Sequence, residues 1–222
     1  PLESCYALGR WLGDCAYAAE RRHRNIALDN LRKAFPGQYS EAELEQMVRR
    51  VFIHFASLLG EIAHIPRVLR QTTWWHHLKV RDHEKTVELM LGDRPVILMT
   101  AHFGNWEMAG YAFGMMGFKP YSVARSLDNP YLEQFLRDFR TKTGQRIIYK
   151  RGAYDQVSAV MRRKALVAFL SDQDAGHRGV FVEFLGRPAS SHKGVALLAL
   201  EHDAPICVGF ARRLPGKLNY EV

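Results

Sequence analysis

Three cysteines in 222 residues, at positions 5, 15 and 207, are too few and too scattered for a disulfide framework. The odd count and wide spacing suit a reducing compartment. His76-His77, His177 and His192 make no zinc pattern, since there is no paired Cys and H-E-x-x-H is missing. G-x-S-x-G is missing too, which counts against a serine hydrolase. Neither a Walker A loop nor G-x-G-x-x-G appears, so nucleotide binding has no support. No run approaches the roughly 18 apolar residues that span a bilayer. No signal peptide, fixed-period repeat or low-complexity segment is visible.

What is present is the composition of a packed protein. Hydrophobic residues make up 47% and charged residues 24%, with twelve Phe, nine Tyr and four Trp. That fits one or two domains with a sizeable core and excludes a disordered chain. The net charge of +8 and pI near 9.5 fit an anionic partner, such as nucleic acid, phospholipid or a phosphorylated substrate. They also fit a basic surface with no such partner. The chain opens on Pro1 and closes in "LNYEV", the texture of a strand cut short. It reads as an excised, C-terminally truncated fragment, with a membrane anchor possible upstream.

Residues 1–72 read as a helical region that forms one compact unit with residues 73–222. From Glu43 to His64 apolar residues recur in steps of three and four, the mark of one amphipathic helix. Ser40 and Glu43 have capping-box spacing, and Pro66 is read as lying just past the helix end. Upstream, "RRHRNIALDNLRKAFPG" is a basic helix closed by Pro36-Gly37. Residues 73–222 alternate β-rich runs with helices of about ten residues. That pattern predicts an α/β fold with a central mixed, mainly parallel sheet flanked by helices. The last two strands, around Pro215-Gly216, are predicted to form an antiparallel hairpin.

The chemistry concentrates at "MTAHFGNWEMAG", residues 99–110. His102 stands just beyond a buried strand, where sites gather in parallel sheets. Asn105 is a candidate N-cap, which puts Glu107 in the first helical turn. Gly104 permits the unusual backbone angle of a tight corner. A carboxylate on one ring nitrogen would fix the tautomer and leave the other nitrogen as a base. Spacing alone equally fits a loop histidine and a glutamate that complements the helix dipole.

H-x4-E after a strand, here "HFGNWE", resembles the motif of the His-x4-Asp/Glu glycerolipid acyltransferases. The chain as a whole resembles the lipid A biosynthesis (late) acyltransferases, the lauroyl and myristoyl transferase type. "RNIALDNLRKAFPG" (24–37), "VARSLDNPYLEQFLRDFR" (123–140) and "LSDQDAGHRGVFVEFLGRPASSHKG" (170–194) carry the likeness along nearly its full length. The resemblance implies a glycerolipid acyltransferase-like fold. It implies transfer of a fatty acyl chain from acyl carrier protein or coenzyme A to a hydroxyl of a lipid A precursor, in lipopolysaccharide biosynthesis. His102 would be the general base and Glu107 its partner, with Arg140 and Asp172 at functionally important positions. No cofactor or metal is implied, the acyl thioester being a co-substrate. The implied partners are acyl carrier protein, a membrane glycolipid and the cytoplasmic face of the bacterial inner membrane. The family's N-terminal anchor helix is not seen in this stretch. One departure is the Gly104-Asn105-Trp106 stretch between His and Glu, where the enteric enzymes carry apolar residues. A different glycolipid acceptor, such as a phosphatidylinositol mannoside, is the neighbouring reading.

Arg125, Asn129, Arg140, Lys150 and Asp172 form the candidate substrate-binding set. The cations there, and Arg151, suit phosphate recognition or a solvated basic surface. Asp172 reads as orienting an arginine or the acceptor, and Asp174 stays unassigned. Phe181, Phe184 and Leu185 read as acyl-groove or core residues. The N-terminal helices, with their arginines, read as core packing or as contacts to anionic lipid. A non-catalytic basic module binding nucleic acid or membrane is the reading from another class. The absence of a nucleic-acid motif counts against it, and nucleic acid is not expected as a partner.

Overall fold

The computed structural model describes residues 2–150 and 152–222. Arg151 lies outside the described residues. In chain order the elements are α1 (Leu2–Ala19), α2 (Arg21–Ala34), α3 (Glu41–Val68), β1 (Leu78–Lys79), α4 (His83–Leu91), β2 (Val96–Thr100), α5 (Trp106–Met115) and β3 (Tyr121–Ala124). They continue as α6 (Pro130–Thr141), β4 (Arg146–Tyr149), α7 (Ala153–Met161), β5 (Leu166–Leu170), β6 (Val180–Phe184), β7 (Arg187–Ser191), α8 (Gly194–Glu201), β8 (Ile206–Val208), β9 (Arg212–Arg213) and β10 (Tyr220–Glu221). The chain divides into two compact units. One holds the residues up to Ile65 with Phe181–Ala189, the other Pro66–Val180 with Ser190–Val222. The division falls at Ile65 rather than at residue 72.

In the first unit, Leu28, Leu44 and Val48 form a small core against which Tyr17 and Phe52 pack edge to face at 5.8 Å. α1 and α3 come close enough that a Cβ on Gly13 would meet Ile53 Cα at 2.4 Å. Ser40 and Glu43 form the capping box: Ser40 N–H donates to the Glu43 carboxylate at 2.8 Å, and Glu43 N–H to Ser40 Oγ at 3.4 Å. α3 does not stop before Pro66 but carries it in its last turn, so the backbone bond that proline cannot donate is lost at the helix end rather than midway along it. Two arginines of this unit are ion-paired, Arg32 with Glu41 and Arg49 with Asp14. Eight Lys/Arg in residues 1–65 are balanced by eight Asp/Glu, so the whole net charge of +8 arises after Ile65. The β6–β7 hairpin turns through Leu185 and Gly186, both at positive φ. It leaves Phe181, Phe184 and Leu185 exposed rather than in a core. β7 forms its second arm, with Ala189, Ser190 and Ser191 only partly exposed.

The second unit is built on a five-stranded sheet of order β4-β3-β5-β2-β8, parallel at every pairing. β1, β10 and β9 make a separate small sheet, with β9 and β10 antiparallel as the sequence predicts. Side chains alternate across the main sheet, and its two faces are filled unequally. On one face Ile97, Val167 and Ile148 pack with Val157 and Met161 of α7 and Val195 and Leu198 of α8. On the other, the register lines up Cys207, Leu98, Ala168 and Ser122 in one row. These side chains are mostly small. They line a cavity of about 270 Å³ to which α5 contributes Ala109, Gly110 and Phe113.

Candidate active site

β2 and β5 are paired in register with a constant offset, Val96 opposite Leu166 through Thr100 opposite Leu170. Both strands end at the same edge, so the residues two places beyond each end, His102 and Asp172, meet. His102 Nδ1 lies 2.8 Å from Asp172 Oδ1, and the His102 backbone N–H donates to Asp172 Oδ2 at 2.9 Å. An ionised carboxylate can only accept, so Nδ1 carries a proton, and the neutral ring then has its lone pair on Nε2. Each side chain is about one-third exposed, enough for a substrate to reach the ring.

Burial pushes the Asp172 carboxyl up, but the two hydrogen bonds from His102 outweigh it, and the net displacement is below its ordinary value of 3.8. A depressed folded-state value means that the contact contributes stability above the ordinary carboxylate range and loses it as pH falls through the depressed value. In urea denaturation across the acid range, Asp172→Asn should flatten the fall in stability below about pH 4. An acid limb as steep as the wild type's would remove this contact from the acid sensitivity.

Glu107, the expected partner of His102, is elsewhere engaged, and this corrects the sequence reading. Its carboxylate accepts from Arg140 Nε at 3.0 Å and from an Arg140 terminal nitrogen at 2.5 Å. It also accepts from the indole N–H of Trp106 at 3.1 Å. Its side chain is 8% exposed, and that of Arg140 20%. The reason is local: Glu107 sits in the first turn of α5, and the last turn of α6 delivers a guanidinium to it. Burial lowers the Arg140 value, but the Glu107 hydrogen bond and charge overcome this and raise it. The Trp106 ring in turn packs against the His102 ring, centroids 4.9 Å apart at 72°.

The corner that carries these groups depends on Gly104. Its φ is +62°, and a Cβ there would lie 1.6 Å from the Ala211 carbonyl oxygen. That oxygen accepts from Asn105 N–H at 3.1 Å, and Asn105 Oδ1 accepts from Met108 N–H at 2.9 Å as the predicted N-cap. Gly104→Ala should cost about 3 kcal/mol or more in chemical denaturation, through both the clash and the backbone angle. A loss below about 1 kcal/mol would mean that the corner yields.

The other candidates divide. Asn129 caps α6, its side-chain oxygen accepting from Tyr131 N–H at 3.0 Å and Leu132 N–H at 3.1 Å. Arg125 is exposed just beyond β3, with Asp128 at 3.6 Å, and Lys150 is exposed at the end of β4. Asp174 Oδ1 accepts from Gly176 N–H within its own turn at 3.1 Å. The structure therefore brings together His102, Glu107, Arg140 and Asp172, with Trp106 between them. The cavity continues from this group, lined by Thr100, Trp106, Glu107, Arg140, Gln145 and Phe210 among others. In the sequence Trp106 stands out only as a departure from the motif, and no local signal marks Gln145 or Phe210.

A family model described as bacterial lipid A biosynthesis acyltransferase matches residues 1–222. Two curated relatives are similar over 114 residues, both called phosphatidylinositol mannoside acyltransferase. One, from Mycobacterium tuberculosis strain ATCC 25618 / H37Rv, is 29% identical, and the other, from strain CDC 1551 / Oshkosh, is 28% identical. Each match covers 50% of this chain and 36% of the relative, so the matched part is little more than a third of their length.

Proposed function

The chain belongs to the bacterial lipid A biosynthesis acyltransferase family. From that premise we propose that it moves a fatty acyl chain from an acyl-carrier-protein or coenzyme A thioester to a hydroxyl of a lipid A precursor. The observation that carries the reading is the His102–Asp172 pair, placed where the parallel strands end and beside an apolar cavity. His102 Nε2 takes the proton of the acceptor hydroxyl as that oxygen attacks the thioester carbonyl. The C–O bond forms, the C–S bond breaks, and the leaving thiolate takes the proton back from the imidazolium. Asp172 holds the tautomer and stabilises the imidazolium between the two transfers. The acyl chain lies in the cavity, where Leu98, Ala168 and Phe113 offer it apolar walls. No acyl-enzyme forms, because the nucleophile is the acceptor's own oxygen.

The acceptor and donor bring the partners: acyl carrier protein, a membrane glycolipid and the cytoplasmic face of the inner membrane. Among the described residues no helix is long and apolar enough to cross a membrane. Leu8, Trp11 and Leu12 are exposed on α1. With the first unit's charges balanced, apolar contact rather than net charge is its means of meeting a lipid surface. The similarity to phosphatidylinositol mannoside acyltransferases supports a second acceptor class. Full-length enzyme in detergent, given labelled acyl-carrier protein, decides between them. Labelling of a lipid A precursor supports the first reading, labelling of a phosphatidylinositol mannoside alone supports the second, and labelling of neither overturns both.

A further inference from the structure

Glu107 does not touch the imidazole, yet it is tied to it through one side chain. We propose that Trp106 is a positioning residue that links the Glu107–Arg140 ion pair to the orientation of His102. The inference rests on the reading of His102 as the base.

The bond to Asp172 fixes the tautomer and one end of the ring. A single contact at Nδ1 leaves the ring free to swing about that contact. The Trp106 ring packs against the imidazole, centroids 4.9 Å apart and steeply inclined, and that contact opposes such a swing. An indole can itself turn about its own Cβ–Cγ bond, since such torsions have broad wells. Its N–H bond to Glu107 Oε1 at 3.1 Å selects one orientation. The Glu107 carboxylate is in turn held at both oxygens by Arg140. This bidentate grip fixes the carboxylate plane rather than only its position. The imidazole is thus held by Asp172 through a hydrogen bond and by Trp106 through packing.

Three variants separate these parts. Trp106→Phe keeps an aromatic face but loses the N–H, Trp106→Leu loses both, and Glu107→Gln weakens the carboxylate anchor. In acyl transfer at saturating thioester by the full-length enzyme, Trp106→Leu should lower kcat by about tenfold or more. Trp106→Phe should restore part of that loss. Glu107→Gln should lower kcat in the wild-type background and cost little more in the Trp106→Phe background, because its route to the base is already cut. A readout that needs no acyl transfer is the rate at which diethyl pyrocarbonate modifies His102, followed by peptide mass. It should rise several-fold in folded Trp106→Leu.

Equal losses from Glu107→Gln in both backgrounds would show that Glu107 acts without Trp106 and would overturn the proposal. So would a folded Trp106→Leu enzyme with unchanged kcat and an unchanged modification rate. Wild-type enzyme that transfers to no acceptor sinks the acyltransfer reading instead, while the modification experiment still reports on the geometry.

Discussion

His102→Ala should lower single-turnover acyl transfer by about a thousandfold, within the range that a positioned general base contributes. The informative comparison is between the two carboxylates. Asp172→Asn should lose about a hundredfold or more, because an amide can present its own N–H to Nδ1 and so favour the wrong tautomer. Glu107→Gln should lose less, about tenfold, since its carboxylate lies one side chain removed from the imidazole. Transfer from labelled acyl-carrier protein, measured on variants whose unfolding transitions match the wild type, gives the ranking. A near-normal Asp172→Asn enzyme beside a Glu107→Gln enzyme as impaired as His102→Ala would restore the His–Glu pair and discard the His102–Asp172 dyad.

A large effect on stability is expected at Arg140. Removing its guanidinium leaves the Glu107 carboxylate, 8% exposed, with only the Trp106 N–H to satisfy it. Losing one member of a buried pair costs about 3–5 kcal/mol, because the survivor's desolvation is no longer offset. Arg140→Met should therefore lower the denaturation free energy by about 3 kcal/mol. The double variant Arg140→Met with Glu107→Leu should recover most of it, since apolar groups of similar volume leave no buried charge. A single variant within about 1 kcal/mol of wild type would mean that Glu107 reaches water or takes up a proton readily.

Much of this is legible in the sequence because it is encoded within a few residues. The Ser40–Glu43 box, the Asn105 cap and the Gly104 corner are local, and the structure contains each of them. The alternation of helices with β-rich runs points to the parallel sheet. The partner of His102 is not legible in the same way. Asp172 lies 70 residues on, and its place depends on β5 pairing beside β2 although β3 and β4 intervene in the chain. Both residues follow their strands by the same two positions, so a known strand order would be enough to pair them. Glu107 draws attention for its spacing from His102. Spacing along a corner does not tell which way a helix-start carboxylate turns, and the arginine of α6 decides that here. The expectation for Pro66 comes from a local rule that the end of a long helix can override.

The uneven filling of the sheet bears on how this protein can change. Each methylene added to Ala168, Ser122 or Ala124 would bury apolar surface worth about 0.8 kcal/mol wherever it fitted. A chain selected only for heat tolerance would drift toward larger residues on that face. On the proposed function, the same drift would take the room that the acyl chain needs. The small side chains between α5 and the sheet then mark stability forgone for activity. The α7–α8 side, already packed, has no such reserve, and heat-tolerant variants that keep their function should carry their changes elsewhere than beneath α5.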